Sequence, residues 1–119
     1  MRVLFVLFFI FFLFGCVAQK APIHDISNAK ISLIKAENAK AQKYASKEFS
    51  DAKSKLIKSE NLMKSGDYKG AKLFAQKASA DARVARQKAK KEFVEEEIKK
   101  LEGEINMITK DFAKIEEQE

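Results

Sequence analysis

Residues 65–116 read SGDYKGAKLFAQKASADARVARQKAKKEFVEEEIKKLEGEINMITKDFAKIE, and the fold turns on how this stretch divides. Ser65-Gly66-Asp67 has the composition of a helix boundary. Glycine takes the left-handed position past a helix end at no steric cost, and aspartate accepts from the first free amides of the next helix. After Asp67 no breaker interrupts the helical pattern, and Gly103 weakens it only slightly. Ala71, Ala75, Ala78, Ala82, Ala85 and Ala89 recur at helical spacing. Such a stripe lets helix axes approach closely while burying little area per residue, so it predicts a narrow core of modest stability.

From residue 94 the pattern changes. Val94, Ile98, Leu101, Ile105, Ile108, Phe112 and Ile115 alternate at spacings of four and three. This is a coiled-coil seam with Ile98, Ile105 and Phe112 at a, and Val94, Leu101, Ile108 and Ile115 at d. One uninterrupted helix should carry both patterns and outrun the rest of the fold by roughly 25 residues, or about 40 Å. Its g positions are Glu97, Glu104 and Asp111, and its e positions are Glu95, Glu102, Thr109 and Glu116. A parallel homodimer would set Glu97 against Glu102 and Asp111 against Glu116, a repulsion of a few tenths of a kcal/mol per exposed pair. A basic partner helix fits better, from another protein or from the lysine-rich body of a neighbouring copy packed antiparallel.

Upstream, Asp25 or Ser27 can cap a first helix in which Ile26, Ala29, Leu33 and Ala36 share a face. This helix is expected to run to about Lys43. Tyr44-Ala45-Ser46 interrupts it, with Ser46 placed to cap a second helix carrying Phe49, Ala52, Leu56, Ser59 and Met63. Both connections are short, so consecutive helices should lie antiparallel. The predicted fold class is all-α: an antiparallel hairpin or three-helix arrangement whose long C-terminal helix extends as a coiled-coil-like tail.

The net charge of +6 hides a division. Residues 20–91 hold 18 Lys or Arg against 7 Asp or Glu, whereas residues 92–119 hold 4 against 10. The cations are almost all lysine, with Arg only at 2, 83 and 86. No aromatic platform interleaves with them, which argues against nucleic acid. One histidine, His24, stands without a second ligand or nucleophile and reads as a linker residue. No paired catalytic carboxylates and no Gly-rich phosphate loop are present, so the expectation is a non-enzymatic protein without cofactor or metal.

Val3 to Phe14 is wholly apolar behind Arg2, the pattern of an export signal, and the apolar run ends at Ala18, short of a comfortable membrane span. Leu13-Phe14-Gly15-Cys16 resembles the bacterial lipobox, with Phe14 where a small residue is usual, and it makes the sole cysteine, Cys16, the expected lipidation site. Stable anchoring requires two or more acyl chains. Val17 after the cysteine resembles outer-membrane sorting. The implied organisation is a signal peptide at 1–15, a lipid-anchored tether at 16–24, a basic alanine-rich helical domain at 25–91 and an acidic amphipathic tail at 92–119. The expected location is the bacterial envelope, at the outer membrane facing the periplasm.

Tyr44-Ala45, Glu48, Ala52, Leu56, Gly66-Asp67-Tyr68, Ala71, Ala75, Ala78, Asp81-Ala82 and Ala85 together resemble the small helical envelope lipoproteins of domain of unknown function 4398, over roughly residues 25–91. That resemblance implies a lipoprotein signal and an alanine-rich helical segment with a Gly-Asp-Tyr turn, and it brings no assigned activity. Some members continue into an OmpA-like peptidoglycan-binding domain. The residues after 91 carry the seam instead, and Ser46 stands where the family often has a helix-starting proline. Two functions follow as expectations. One is a structural or interaction lipoprotein that docks a partner, or a second copy, through its C-terminal helix. The other is a spacer in non-covalent contact with peptidoglycan, since the ending Glu116-Glu117-Gln118-Glu119 lacks the C-terminal lysine that covalent attachment resembles needing.

Overall fold

A computed structural model describes residues 20–117, so the signal stretch, Cys16 and the last two residues lie outside the described residues. The described residues form α1 (Ile23–Asn38), α2 (Ala41–Tyr44), α3 (Ser46–Lys64) and α4 (Tyr68–Glu116). The all-α prediction stands, with a fourth, short helix added.

The α3–α4 boundary forms as its sequence dictates. Gly66 takes φ 83°. Its N–H donates to the Met63 carbonyl at 3.2 Å, and the Asp67 N–H donates to that of Leu62 at 2.9 Å. These paired bonds satisfy the last carbonyls of α3 in a Schellman closure. Asp67 then accepts from the Gly70 N–H at 2.9 Å and caps α4.

The other end of the bundle departs from expectation. The first helix stops at Asn38, not near Lys43, because Lys40 adopts a left-handed φ of 61°. That conformation costs a non-glycine residue roughly 1–2 kcal/mol. The reversal buries Ala41 and Ala45 and sets the Lys40 ammonium 4.3 Å from the centroid of the Phe93 ring, contacts that offset the strain. The expected caps also differ. Helix α1 begins at Ile23 on a Pro22 boundary without a side-chain cap, and α3 begins after buried Ala45 with Ser46 already inside the helix. Asp25 lies in the first turn of α1, where its charge suits the helix dipole, and it accepts from Gln76 Nε2 at 3.0 Å.

Cross-helix contacts fix the up-down-up order. Lys55 pairs with Asp81 and Lys88 with Glu48, so α3 and α4 run antiparallel. Asp25 meets Gln76 and Ser32 meets Ser79, so α1 runs parallel to α4. All six alanines of the α4 stripe are at 0 % exposure. Ala82, Ala85 and Ala89 pack against Leu33, Ala36, Phe49 and Ala52 at one end, and Ala75 and Ala78 against Ile26 and Ala29 at the other, with Leu56 touching both clusters. Ser59 occupies a core position at 0 % exposure and donates to the Ala71 carbonyl at 2.6 Å, which satisfies its hydroxyl.

Candidate functional site

Helix α4 is 49 residues long and extends about 73 Å at 1.5 Å per residue. Its first half is the spine of the bundle. Its second half leaves the bundle, and every residue from Val94 to Glu117 is exposed. The last cross-helix partner is Glu96, which leaves twenty residues, or about 30 Å, of free helix up to Glu116. This overhang is somewhat shorter than the sequence pattern suggests, because α2 reaches forward to brace residues 93–96.

The seven seam residues lie together on this helix, each between 48 and 65 % exposed. Given 3.6 residues per turn, they lie about 130° around the axis from the buried alanines. The seam therefore faces away from α1 and α3, and the tail does not fold back on its own hairpin. Large apolar side chains repeated at heptad spacing on an unpacked helix form a contiguous apolar face of the kind that marks an interaction surface.

Acidic groups line both edges of that face. Glu95 reaches Lys91 at 3.6 Å and Asp111 reaches Lys114 at 3.9 Å, both surface pairs within one helix that contribute little. Glu97, Glu102, Glu104 and Glu116 make no ion pair among the described residues. Thr109 turns its hydroxyl back to the Ile105 carbonyl at 2.9 Å.

The base of the tail is held by a collar. Tyr44 meets Phe93 edge to face at 5.9 Å between centroids, and the Lys40 ammonium lies over the same ring. Lys43 Nζ donates to the Tyr44 hydroxyl at 2.7 Å and to both Glu96 oxygens at 3.1 and 3.2 Å. The Tyr44 hydroxyl and then the Glu96 carboxylate hold the Lys43 ammonium above the usual lysine range. Tyr44 and then Lys43 hold the Glu96 carboxyl below the usual carboxylate range. Lower in the bundle, the Lys88–Glu48 pair at 2.8 Å raises Lys88 and lowers Glu48, whose own backbone N–H adds to its shift. Together these contacts extend the rigidity of the bundle into the first turn of the seam.

Among the described residues, no three His, Cys, Asp or Glu side chains are placed to hold a metal, and no helix is long and apolar enough to cross a membrane. His24 lies in the first turn of α1 and not in a linker, hydrogen-bonded to Asn28 Nδ2 at 3.1 Å. Sequence reasoning found the seam and missed the collar. The collar joins residues about fifty positions apart, and only the Tyr44-Ala45 interruption hinted at it.

No curated protein and no solved structure matches the chain. The family model described as Domain of unknown function (DUF4398) matches residues 24–101, which takes in the whole bundle, the collar and the first three seam residues. The chain belongs to that family.

Proposed function

We propose that this chain is a non-enzymatic, lipid-anchored docking module of the bacterial envelope. Cys16 carries the acyl chains, the three-helix bundle fixes the direction of α4, and the seam from Val94 to Ile115 receives a partner helix. The observation that carries the reading is the exposure of all seven seam residues on a helix that has left its bundle. The start of α1 lies beside Gln76, so the tethered end and the far end of the seam are separated by about 60 Å of α4. The anchor and the docking face thus occupy opposite ends of one rod. With Val17 after the cysteine, the module belongs on the outer membrane, facing the periplasm.

Photo-crosslinkers placed at Leu101 and Ile108 test the docking in cells. A discrete adduct at both positions, absent when the crosslinker is moved to Lys100 or Lys110 on other faces, is the expected result. Recovery of monomer alone at all four positions overturns the reading. Intact-mass measurement of protein isolated from the envelope tests the anchor: a chain beginning at acylated Cys16 is expected, and an unmodified chain retaining Met1 overturns the localisation.

A further inference from the structure

The heptad frame that places Val94 at d does not end at Val94. Followed back into the bundle, the same a and d positions are Lys91, Gln87, Val84, Ala80, Lys77 and Leu73, and all six are exposed. Leu73 and Val84 are among the exposed large hydrophobic residues, at 49 and 57 %. With 3.6 residues per turn, Leu73, Ala80 and Val84 lie about 160° from the buried alanine stripe. They therefore line the back of α4, clear of both α1 and α3. A heptad frame drifts by about 20° per repeat on a straight helix, so this stripe and the seam are one line that winds slowly round α4.

One edge of the frame is oppositely charged in the two halves, while the other is mixed, since the e positions of the bundle half are Lys88, Asp81 and Phe74. In the seam half the g positions are Glu97, Glu104 and Asp111; in the bundle half they are Lys90, Arg83, Gln76 and Lys69. A seam laid on a second seam, parallel or antiparallel, brings acid against acid along both edges. A seam laid antiparallel on a second copy's bundle half brings Glu97 to Lys90, Glu104 to Arg83 and Glu95 to Lys88 against one acidic meeting, Glu102 with Asp81, whose charge Lys55 already pairs, and sets Leu101 on Val84, Ile105 on Ala80 and Phe112 on Leu73. Lysines at positions 77 and 91 extend their aliphatic stems across the interface and carry their ammonium groups out to the acidic edges.

We infer that the occupant of the seam is a second copy of this chain, packed antiparallel so that each acidic tail lies along the basic back of the other's bundle. The inference rests on the docking role proposed for the seam and names its partner. The arrangement is isologous, with a two-fold axis passing between Glu92 and Phe93, so it closes as a dimer instead of growing into a filament. The tethered ends then lie about 50 Å apart along the rod, counted from Gln76 to its symmetry mate at 1.5 Å per residue, and both lipids insert in one leaflet with the rod along the membrane surface.

Single-cysteine substitutions in the full chain, purified in detergent micelles and oxidised, test the geometry. Residues 84 and 101 are exposed, so Val84→Cys and Leu101→Cys leave the fold intact, which far-UV circular dichroism verifies. Any disulfide to Cys16 is distinguished by its tryptic mass. On mixing the two variants, the 84–101 adduct is expected to exceed both homodimeric adducts severalfold, and Arg83→Glu with Lys90→Glu to abolish it. A dominant 101–101 adduct, or sedimentation as a monomer, overturns the antiparallel dimer. Leu101→Cys crosslinking in envelope membranes separates the two levels of failure. Capture of a different protein there overturns only the choice of partner, whereas free labelling with no adduct overturns the docking role as well.

Discussion

Replacing Ala82 by leucine probes the physical basis of the bundle. Ala82 is at 0 % exposure and packs in the cluster that contains Leu33 and Phe49. Three added carbons would gain about 2 kcal/mol if they were buried without distortion, at about 0.8 kcal/mol each. The stripe has no space for them: its alanines are all fully covered, so helix axes must part or side chains leave their rotamers. Overpacking of this kind costs about 1–3 kcal/mol net. Parting the helices also strains the Lys55–Asp81 pair one residue away, which places the expected loss near the middle of that range or above it. A loss of about 2 kcal/mol lowers the melting temperature of a domain this size by roughly 8–16 °C. Thermal melting followed by far-UV circular dichroism reads the effect, with Ala113→Leu on the exposed tail as the control that changes stability by only a few tenths of a kcal/mol. An Ala82→Leu protein within about 0.5 kcal/mol of the parent would refute close packing of the alanine stripe.

Other expectations follow from individual contacts. Gly66→Ala meets no neighbouring atom within 4 Å but inherits φ 83°, so it should destabilise by about 1–2 kcal/mol without changing the denaturant m-value; an unchanged midpoint would contradict the left-handed closure. A Cβ at Gly70 would collide with the Asp67 carboxylate, so Asp67→Ala should cost about 1 kcal/mol in the parent and far less in a Gly70→Ala background. Equal costs in both backgrounds would show that the carboxylate does not cap α4. Phe93→Ala removes the ring that Tyr44 and Lys40 share, and should accelerate amide exchange in residues 40–45 while leaving α3 unchanged; unaltered protection in 40–45 would remove the collar from the account. Lys88 first and the Glu48 backbone second lower the Glu48 carboxyl below its ordinary 4.5, and Tyr44 and Lys43 lower that of Glu96. Their stabilising contribution is therefore complete above 4.5 and disappears as pH falls through the lowered folded values, and added salt weakens it. A urea midpoint that stays constant on acidification below 4.5 would contradict both pairings.

The parts of the fold legible in the sequence are those set by local chemistry or by period. Gly66 and Asp67 act through their own backbone and side chain, the alanine stripe repeats every three or four residues, and the seam repeats every seven. What sequence reasoning missed depends on distant partners. Lys40 is not a residue that advertises a left-handed turn, and it is held there by Phe93, more than fifty positions away. Asp25 and Ser46 have the chemistry of caps, yet Asp25 engages Gln76 and Ser46 follows a boundary occupied by buried Ala45. The candidate site was legible as a list of residues, because exposed and buried apolar stripes have the same spacing. The unbroken pattern after Asp67 also implies a tail that outruns the bundle, and the three-dimensional arrangement adds that the segment around α2 braces it as far as Glu96.

Cysteine scanning of residues 94–117 in native envelope membranes, read as the rate of thiol alkylation at each position, tests the docking of this helix most directly. A covered seam gives heptad-periodic protection, with Val94, Ile98, Leu101, Ile105, Ile108, Phe112 and Ile115 slow and the b, c and f positions between them fast. Uniformly fast alkylation along the whole stretch would mean that nothing covers the seam and would contradict the account.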